Sequence, residues 1–392
     1  MSSSQRPLLC VLVDAFRHDY LDEARAPYLA ALARDRNVAR VRPILGYSDA
    51  IRASIFTGRY PDEHGYWMEY CYRPRSSPFG PLARLAPLDR LPNDFVRRGV
   101  KFALSQTVVR RLAPRRGYAN LSLRHLPFRG LSVFDWTLRS PMLASGALGV
   151  PTVFDDLRAA GAGWTYLDSA RDGRRGLLKG LDRLALDTRL VFVYIHQIDM
   201  ASHVVGLESR LFDRAVRRTD RLLREVVART RARLGDLELL VFSDHGMSKV
   251  ERTVAYPALW RHPGFPQRFV FALDATMVRL WDADDDVREL VRKGAPGRFL
   301  SRAELRELHL DFRSRLYGDE VYLLEPGTAI FPNFHSLLKP KAMHAYHPDD
   351  PDQHGIYVGP GSEPVGETVE LVEITTAIRR LLGVAEPVRV SA

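Results

Sequence analysis

Cysteine is scarce in this chain of 392 residues, since Cys10 and Cys71 are its only two. Two cysteines cannot build a disulfide framework or a cysteine-ligated zinc site. The chain also lacks an apolar run of the roughly 18–20 residues that a membrane-spanning helix needs. The most apolar stretch near its start, Leu8 to Val13, is too short for the core of a signal peptide. These absences exclude helical membrane spans and predict a cytoplasmic protein, with peripheral contact to a membrane left open.

Apolar residues are abundant, at 46% of the chain with 10% aromatic, which excludes a disordered protein and predicts a sizeable core. The length suits one large α/β catalytic domain, residues 1–392, that carries an insertion.

The net charge of +10 is concentrated in one segment. Residues 66–145 contain 14 Arg or Lys and 4 Asp or Glu, so the rest of the chain is neutral. We therefore predict that residues 66–145 form a basic inserted lobe. This lobe begins 18 residues after Ser48, a candidate nucleophile discussed below, and could cap a site at that residue. Such a lobe suits an anionic substrate, a membrane surface or nucleic acid.

Short apolar runs alternate with longer helical patterns along the chain, which predicts a doubly wound, mostly parallel sheet flanked by helices, an α/β fold. The predicted strands are Leu8–Val13, Leu190–Ile195, Leu237–Phe242, Phe269–Trp281, Glu320–Leu324 and Gly355–Val358. The predicted helices run from Pro27 to Arg34, Asp49 to Phe56, Asp94 to Leu112, Leu207 to Leu234 and Leu371 to Leu382.

Aspartate and histidine residues follow several of the predicted strands. They are Asp14, Asp199, His203, Asp244, His245 and His344. Ligands of open α/β sheets bind at the carboxyl ends of the strands. Carboxylate and imidazole are zinc ligands, and two such ions can clamp an in-line displacement at phosphorus. The sequence therefore predicts a site for two divalent metal ions, most simply Zn²⁺, with Mn²⁺ as the other possibility.

Ser48 precedes the predicted helix from Asp49 to Phe56. A serine there is commonly an N-cap. The same position also places its hydroxyl beside backbone N–H groups that suit a phosphoryl group, and a metal would activate it as a nucleophile. The position alone leaves both interpretations open.

Three segments of the chain resemble the nucleotide pyrophosphatase/phosphodiesterase branch of the alkaline phosphatase superfamily. They are TGRYPDEHG (57–65), SDHGM (243–247) and HAYHPDDPDQHGIYVGPG (344–361). The spacing Asp199-x-x-x-His203 is similar to another metal-binding pair of that branch. The resemblance covers most of the chain outside residues 66–145, and it implies an alkaline-phosphatase-like fold.

The resemblance implies a role for each candidate residue. Asp199, His203 and His344 would hold one metal ion, and Asp14, Asp244 and His245 the other. Ser48 would contact the metals, attack phosphorus and form a phosphoryl-enzyme intermediate. The implied reaction is hydrolysis of a phosphodiester or pyrophosphate bond.

Two positions depart from the branch's pattern. Its nucleophile is usually Thr, and a phosphate-binding Asn stands where this chain has Glu69. Arg52 lies four residues after Ser48 and therefore on the same helix face. We hypothesise that Arg52 binds the phosphate in place of that Asn, because Arg favours charged, bidentate contacts.

Other functions remain open at this stage. A phosphomonoesterase or phosphotransferase of the same superfamily shares the metals. A sulfatase fits Ser48 and Arg52, but Ala50 stands where its signature expects Pro. A non-catalytic binder of nucleic acid or an anionic surface fits the basic charge, although no stable nucleic-acid partner is expected. The substrate is expected to be an anionic phosphoester, nucleotide-like or amphiphilic.

Overall fold

The computed structural model describes residues 6–90, 94–104, 107, 126–336, 338–361 and 365–384. Its strands in chain order are β1 (Leu8–Val13), β2 (Asn37–Arg42), β3 (Tyr70–Tyr72), β4 (Phe134–Trp136), β5 (Gly163–Asp168), β6 (Thr188–Ile195), β7 (Glu238–Phe242), β8 (Ser248–Lys249), β9 (Arg252–Val254), β10 (Val270–Leu273), β11 (Met277–Trp281), β12 (Gly297–Phe299), β13 (Glu320–Leu324), β14 (Thr328–Ile330), β15 (Ala342–Met343), β16 (Gly355–Gly359) and β17 (Thr368–Glu370). Its α-helices are Pro27–Ala33, Ser48–Thr57, Pro61–His64, Asp94–Leu104, Val153–Ala159, Ser169–Asp182, Gln197–Val205, Arg210–Leu234, Pro257–Arg261, Asp285–Gly294, Arg302–Glu307 and Glu373–Leu382.

A seven-stranded sheet in the order β17-β2-β16-β7-β1-β6-β5 forms the centre of the molecule. Strands β5, β6, β1 and β7 are parallel to one another, and β16 is antiparallel to both of its neighbours. The sheet is therefore mostly parallel, which confirms the predicted fold class.

Strand β1 is buried on both faces, as its continuous apolar run predicts. Leu8, Cys10 and Leu12 enter the core on one side, where the helices Ser48–Thr57 and Glu373–Leu382 pack. The alternate residues of β1 enter the core on the other side, beneath the helices Ser169–Asp182 and Arg210–Leu234. Because successive side chains of a strand point to opposite faces of the sheet, β1 packs against helices on both sides.

The predicted helix ends are close to the observed ones. The helix predicted from Leu207 begins at Arg210, because the Ser209 hydroxyl accepts a hydrogen bond from the backbone N–H of Phe212 and caps it. The last helix ends at Gly383, whose φ of 65° is left-handed.

The prediction of one strand from Phe269 to Trp281 is wrong. The chain turns between β10 and β11, which pair antiparallel in a second sheet of order β10-β11-β13-β12. The turn was missed because apolar residues lie on both sides of it. Within the turn, Asp274 and Thr276 are buried, where Asp274 accepts a hydrogen bond from Arg279 and Thr276 donates one to the carbonyl of Ala345.

The described part of the basic segment 66–145 packs in two places. Trp67 and Met68 belong to a core of the central sheet. Phe79, Phe128 and Trp136 belong to a separate core beneath the second sheet. Of the helix predicted from Asp94 to Leu112, the structure describes Asp94–Leu104, and most of the remainder lies outside the described residues. The boundaries of the inserted lobe remain a prediction. In the part of the chain that is described, no helix is both long and apolar enough to cross a membrane.

Candidate active site

The candidate residues meet at the carboxyl edge of three adjacent parallel strands. Asp14 directly follows β1, and its backbone N–H donates a hydrogen bond of 2.9 Å to the carbonyl of Ile195 at the end of β6. Asp244 and His245 follow β7, and the Ser243 hydroxyl accepts a bond of 2.9 Å from the backbone of Phe16. These cross-links hold the three strand ends together.

Asp199, His203 and His344 form one group, whose potential ligand atoms all lie within 4.8 Å of one another. Asp199 and His203 are one turn apart on the helix Gln197–Val205, and His203 Nε2 lies 3.1 Å from Asp199 Oδ1. His203 Nδ1 lies 2.7 Å from the carbonyl of Ala342, to which it donates. That bond fixes the tautomer and leaves the Nε2 lone pair facing the group.

Asp14, Asp199 and His245 form a second group within the same limit of 4.8 Å. His245 Nε2 lies 3.1 Å from Asp14 Oδ1. Its Nδ1 donates to the carbonyl of Gly246 at 2.7 Å, so Nε2 again faces the cluster. Asp199 therefore lies between the two groups.

Asp244 lies at the edge of this second group. Its Oδ1 accepts hydrogen bonds from the backbone N–H groups of Ala15 and His245 at 3.3 and 3.1 Å. Its Oδ2 lies 3.7 Å from His245 Nε2. The resemblance implied that Asp244, rather than Asp199, completes this group.

Five polar atoms of the cluster are buried and form no well-aligned hydrogen bond with the described residues, although three of them lie 3.1 Å from a carboxylate or imidazole atom of the same cluster. They are Asp14 Oδ1, Asp199 Oδ1, Asp244 Oδ2, His245 Nε2 and His344 Nδ1. Buried polar atoms without partners are rare in folded proteins because they cost free energy. A set of carboxylate oxygens and imidazole nitrogens fits divalent cations such as zinc.

The carboxylates and imidazoles shift one another's pKa. Burial, together with the charge of Asp14, raises the pKa of Asp244 to about 7. Burial alone would lower the pKa of His245, but the charges of Asp244 and Asp14 outweigh it and raise that pKa to about 10. Burial and the neighbouring His245 lower the pKa of His344. The cluster thus carries negative charge that a cation would compensate.

Ser48 is the first residue of its helix, and Tyr47 occupies the N-cap position. The interpretation of Ser48 as a simple N-cap therefore does not hold. Ser48 lines a cavity of about 500 Å³ together with Asp199, His203 and His344. The helix start and the first metal-binding group thus face one space.

Arg52 is not among the described residues that line this cavity. Its guanidinium forms an ion pair with Asp49 and lies 5.0 Å from the centre of the Tyr194 ring. The Tyr194 hydroxyl in turn donates to Asp14 Oδ2. Arg52 therefore lies beside Tyr194 and Asp49, and its role in phosphate binding remains a prediction. Glu69 does line the cavity.

The sequence model of the type I phosphodiesterase/nucleotide pyrophosphatase family matches residues 8–299. The chain belongs to this family. It is a phosphoric ester hydrolase, and this assignment replaces the sulfatase and the non-catalytic binder. The match ends before His344, so the family model does not cover that residue, which the geometry groups with Asp199 and His203.

Solved structures of ectonucleotide pyrophosphatase/phosphodiesterase 5 are similar to this phosphodiesterase in fold. The murine protein, solved as an inactive variant in complex with AMP, shares 15% identity with a TM-score of 0.69, covering 99% of this chain and 98% of its own. A second murine structure, without AMP in its description, has the same identity and coverage and a TM-score of 0.68. The human protein shares 14% identity with a TM-score of 0.66, covering 99% of this chain and 97% of its own. No curated protein matches the sequence.

Sequence reasoning missed two residues near the site of this phosphodiesterase. Tyr194 lies in the apolar run of β6, where an aromatic residue is typical of a core position, and its hydroxyl reaches Asp14. His335 lines the cavity and bonds Asp274 at 3.0 Å, but no local pattern marks it. The late-loop residue His354 bonds the carbonyl of Pro348 and belongs to neither metal-binding group.

Proposed function

We propose that this phosphoric ester hydrolase cleaves a phosphodiester or pyrophosphate bond with Ser48 as its nucleophile, at a site that holds two divalent metal ions. The observation that carries the proposal is the shared cavity. Ser48 begins a helix in the wall of the cavity that also contains Asp199, His203 and His344. A nucleophile beside a cation-binding group is the arrangement that in-line displacement at phosphorus needs.

One ion would be held by Asp199, His203 and His344, and the other by Asp14, Asp244 and His245 with Asp199 close by. The five buried atoms that lack a well-aligned hydrogen bond among the described residues support this ligand set. The donor set favours Zn²⁺, and Mn²⁺ also suits it. When bound, such ions neutralise phosphate charge and lower the pKa of a nearby hydroxyl.

The residues of the chain divide the reaction between them. The Ser48 oxygen attacks phosphorus, the bond from phosphorus to the leaving oxygen breaks, and the leaving group takes up the proton that Ser48 loses, which leaves the rest of the substrate esterified to Ser48. Water then attacks that phosphorus, the bond to the Ser48 oxygen breaks, that oxygen takes up a proton from the water, and a phosphomonoester is released. Backbone N–H groups at the helix start face the phosphoryl oxygens. Arg52 would add a charged contact if its guanidinium leaves Asp49.

The test compares bis-p-nitrophenyl phosphate with p-nitrophenyl phosphate, using protein loaded with Zn²⁺ or Mn²⁺. We expect a preference for the diester, and Ser48→Ala to lower kcat by about 10³-fold or more. Ser336 lines the same cavity, so Ser336→Ala is the matched control and retains activity. A higher kcat/KM for the monoester would favour the phosphomonoesterase instead. Equal activity of Ser48→Ala and the parent chain would exclude Ser48 as nucleophile.

The structurally similar murine protein was solved in complex with AMP, so nucleotide esters are one class of substrate to test on this chain. Bis-p-nitrophenyl phosphate does not distinguish nucleotide esters from other diesters. A p-nitrophenyl ester of thymidine 5′-phosphate, assayed in parallel, measures that preference directly.

A further inference from the structure

Three large apolar side chains are exposed at the mouth of the cavity. Met200, Val204 and Leu338 have 55%, 45% and 65% of their surface exposed, and all three line the cavity that contains Ser48. Exposed large apolar residues scattered singly need no explanation, but a group at the rim of one cavity marks a binding surface.

The apolar residues are interleaved with the candidate metal ligands. Met200 follows Asp199, and Val204 follows His203, so the two apolar side chains are one turn apart on the same helix. Met343 precedes His344 and also lines the cavity. Each ligand of the first group therefore has an apolar neighbour in the cavity wall. The apolar surface begins where phosphate would bind and ends in solvent.

The aromatic residues of the cavity are committed to packing. Trp67 is buried, stacks against Phe312 with ring centres 6.0 Å apart, and donates its Nε1–H to the carbonyl of Leu45. The Tyr47 hydroxyl bonds Thr276 at 2.9 Å. The buried Trp67 ring is therefore closed to stacking on a nucleobase, and the Tyr47 hydroxyl is held by Thr276.

Three polar side chains of the cavity outside the candidate ligand set, those of Asp49, His335 and Ser336, also have partners. Asp49 pairs with Arg52, and His335 bonds Asp274. The Ser336 hydroxyl accepts a hydrogen bond of 2.9 Å from Asn333. A ribose or a base would share these side chains with their present partners, whereas an apolar group needs only the exposed rim.

We propose that the substrate is a phosphodiester in which one esterified alcohol is a large apolar group, aliphatic or aryl, that lies on Met200, Val204 and Leu338. The inference rests on the proposed function, since it assigns the alcohol that stays esterified to phosphorus while the other ester bond is cleaved at Ser48. Burial of apolar surface is favourable by about 0.8 kcal/mol per methylene, which converts to roughly fourfold in affinity.

The test is a series of p-nitrophenyl alkyl phosphates with methyl, butyl, hexyl and octyl groups, kept below micelle-forming concentrations. The p-nitrophenyl ester of thymidine 5′-phosphate is the comparator. We expect kcat/KM to rise about two- to fourfold per methylene, until the octyl ester exceeds the thymidine ester. The double variant Met200→Gln with Leu338→Gln should flatten this rise.

Leu186→Gln provides the matched control, because Leu186 is 74% exposed and does not line the cavity. It should leave the chain-length dependence unchanged. Activity that requires Ser48 but does not rise with chain length, or that favours the thymidine ester over octyl, overturns this inference and leaves the proposed function standing. No Ser48-dependent hydrolysis of any ester overturns the proposed function itself.

Discussion

The imidazole rings of His245 and His344 lie stacked, with centres 3.8 Å apart and planes inclined by 11°. His245 follows β7 of the central sheet, and His344 follows β15, which pairs only with the short β8. Two imidazolium rings at this distance would repel each other. The opposite directions of their pKa shifts agree with that: His245 is raised and His344 is lowered. The two candidate metal-binding groups are therefore coupled through this contact as well as through Asp199.

The coupling predicts that His344→Ala reduces the binding of both metal ions rather than one. We expect fewer than one ion per chain and a loss of activity of about 10²-fold or more. Metal content by mass spectrometry and kcat for bis-p-nitrophenyl phosphate measure the two effects. His309→Ala, outside both groups, is the control and should retain its metal. Retention of a full ion in His344→Ala would show that the groups are independent.

Tyr194→Phe removes the hydroxyl that donates to Asp14 Oδ2. We expect metal affinity to fall about 10- to 100-fold, because partners that orient a ligand contribute that much. Tyr322→Phe is matched to it, since the Tyr322 hydroxyl donates to the carbonyl of Ala295 in the second core. Competition with a chromophoric chelator measures both variants. Equal affinities for the two would show that the Tyr194 bond does not orient Asp14.

Arg52 and Asp49 provide a test of the predicted phosphate contact. If Arg52 binds phosphate, Arg52→Ala lowers kcat/KM for the diester by about 10- to 100-fold, the size of a charge-assisted hydrogen bond. Asp49→Asn then keeps or raises kcat/KM, because it releases the guanidinium from its ion pair. Equal losses in both variants would mean that the pair only supports the helix.

We expect the buried His64 to make the folded protein less stable in acid. Its Nδ1 accepts a bond from the backbone of Tyr66, and its Nε2 bonds Ser54, so the neutral ring fits the folded state. Burial lowers its pKa to about 3, against an ordinary value of 6.5, although Asp62 partly opposes this shift.

The lowered pKa of His64 sets the sign of this pH dependence. Between pH 6.5 and 3 the unfolded chain binds a proton that the folded chain does not. Stability is therefore complete above pH 6.5 and falls by about 1.4 kcal/mol per pH unit below it. Urea unfolding at pH 7 and pH 5 measures the loss, and His64→Asn should reduce this dependence while Ser54 and Tyr66 remain. An unchanged pH dependence in His64→Asn would assign the acid sensitivity to other groups.

The strand ends were the most predictable part of the site. Asp14, Asp244 and His245 directly follow continuous apolar runs, and parallel strands bring their carboxyl ends to one edge. The spacing of Asp199 and His203 was sufficient to place both on one helix face.

The rest of the site depends on packing between distant segments. Tyr194 reaches Asp14 across 180 positions of the chain, and nothing in β6 distinguishes its ring from a core residue. Asp199 lies between two groups because Asp14, His245 and His344, which come from distant segments of the chain, meet around it. The exposed apolar rim could not be predicted from the sequence either. Whether Met200 and Leu338 are exposed depends on how distant segments of the chain pack around them.

The group of Asp199, His203 and His344 also has a consequence for biosynthesis. The ribosome delivers Asp199 and His203 more than 100 residues before His344. The carbonyl of Ala342, which orients His203, is equally late. A nascent chain that stops before Ala342 therefore has neither the third ligand nor the tautomer-fixing contact. The complete group forms only after both late residues have emerged from the ribosome, and products terminated earlier would not compete for the ion through it.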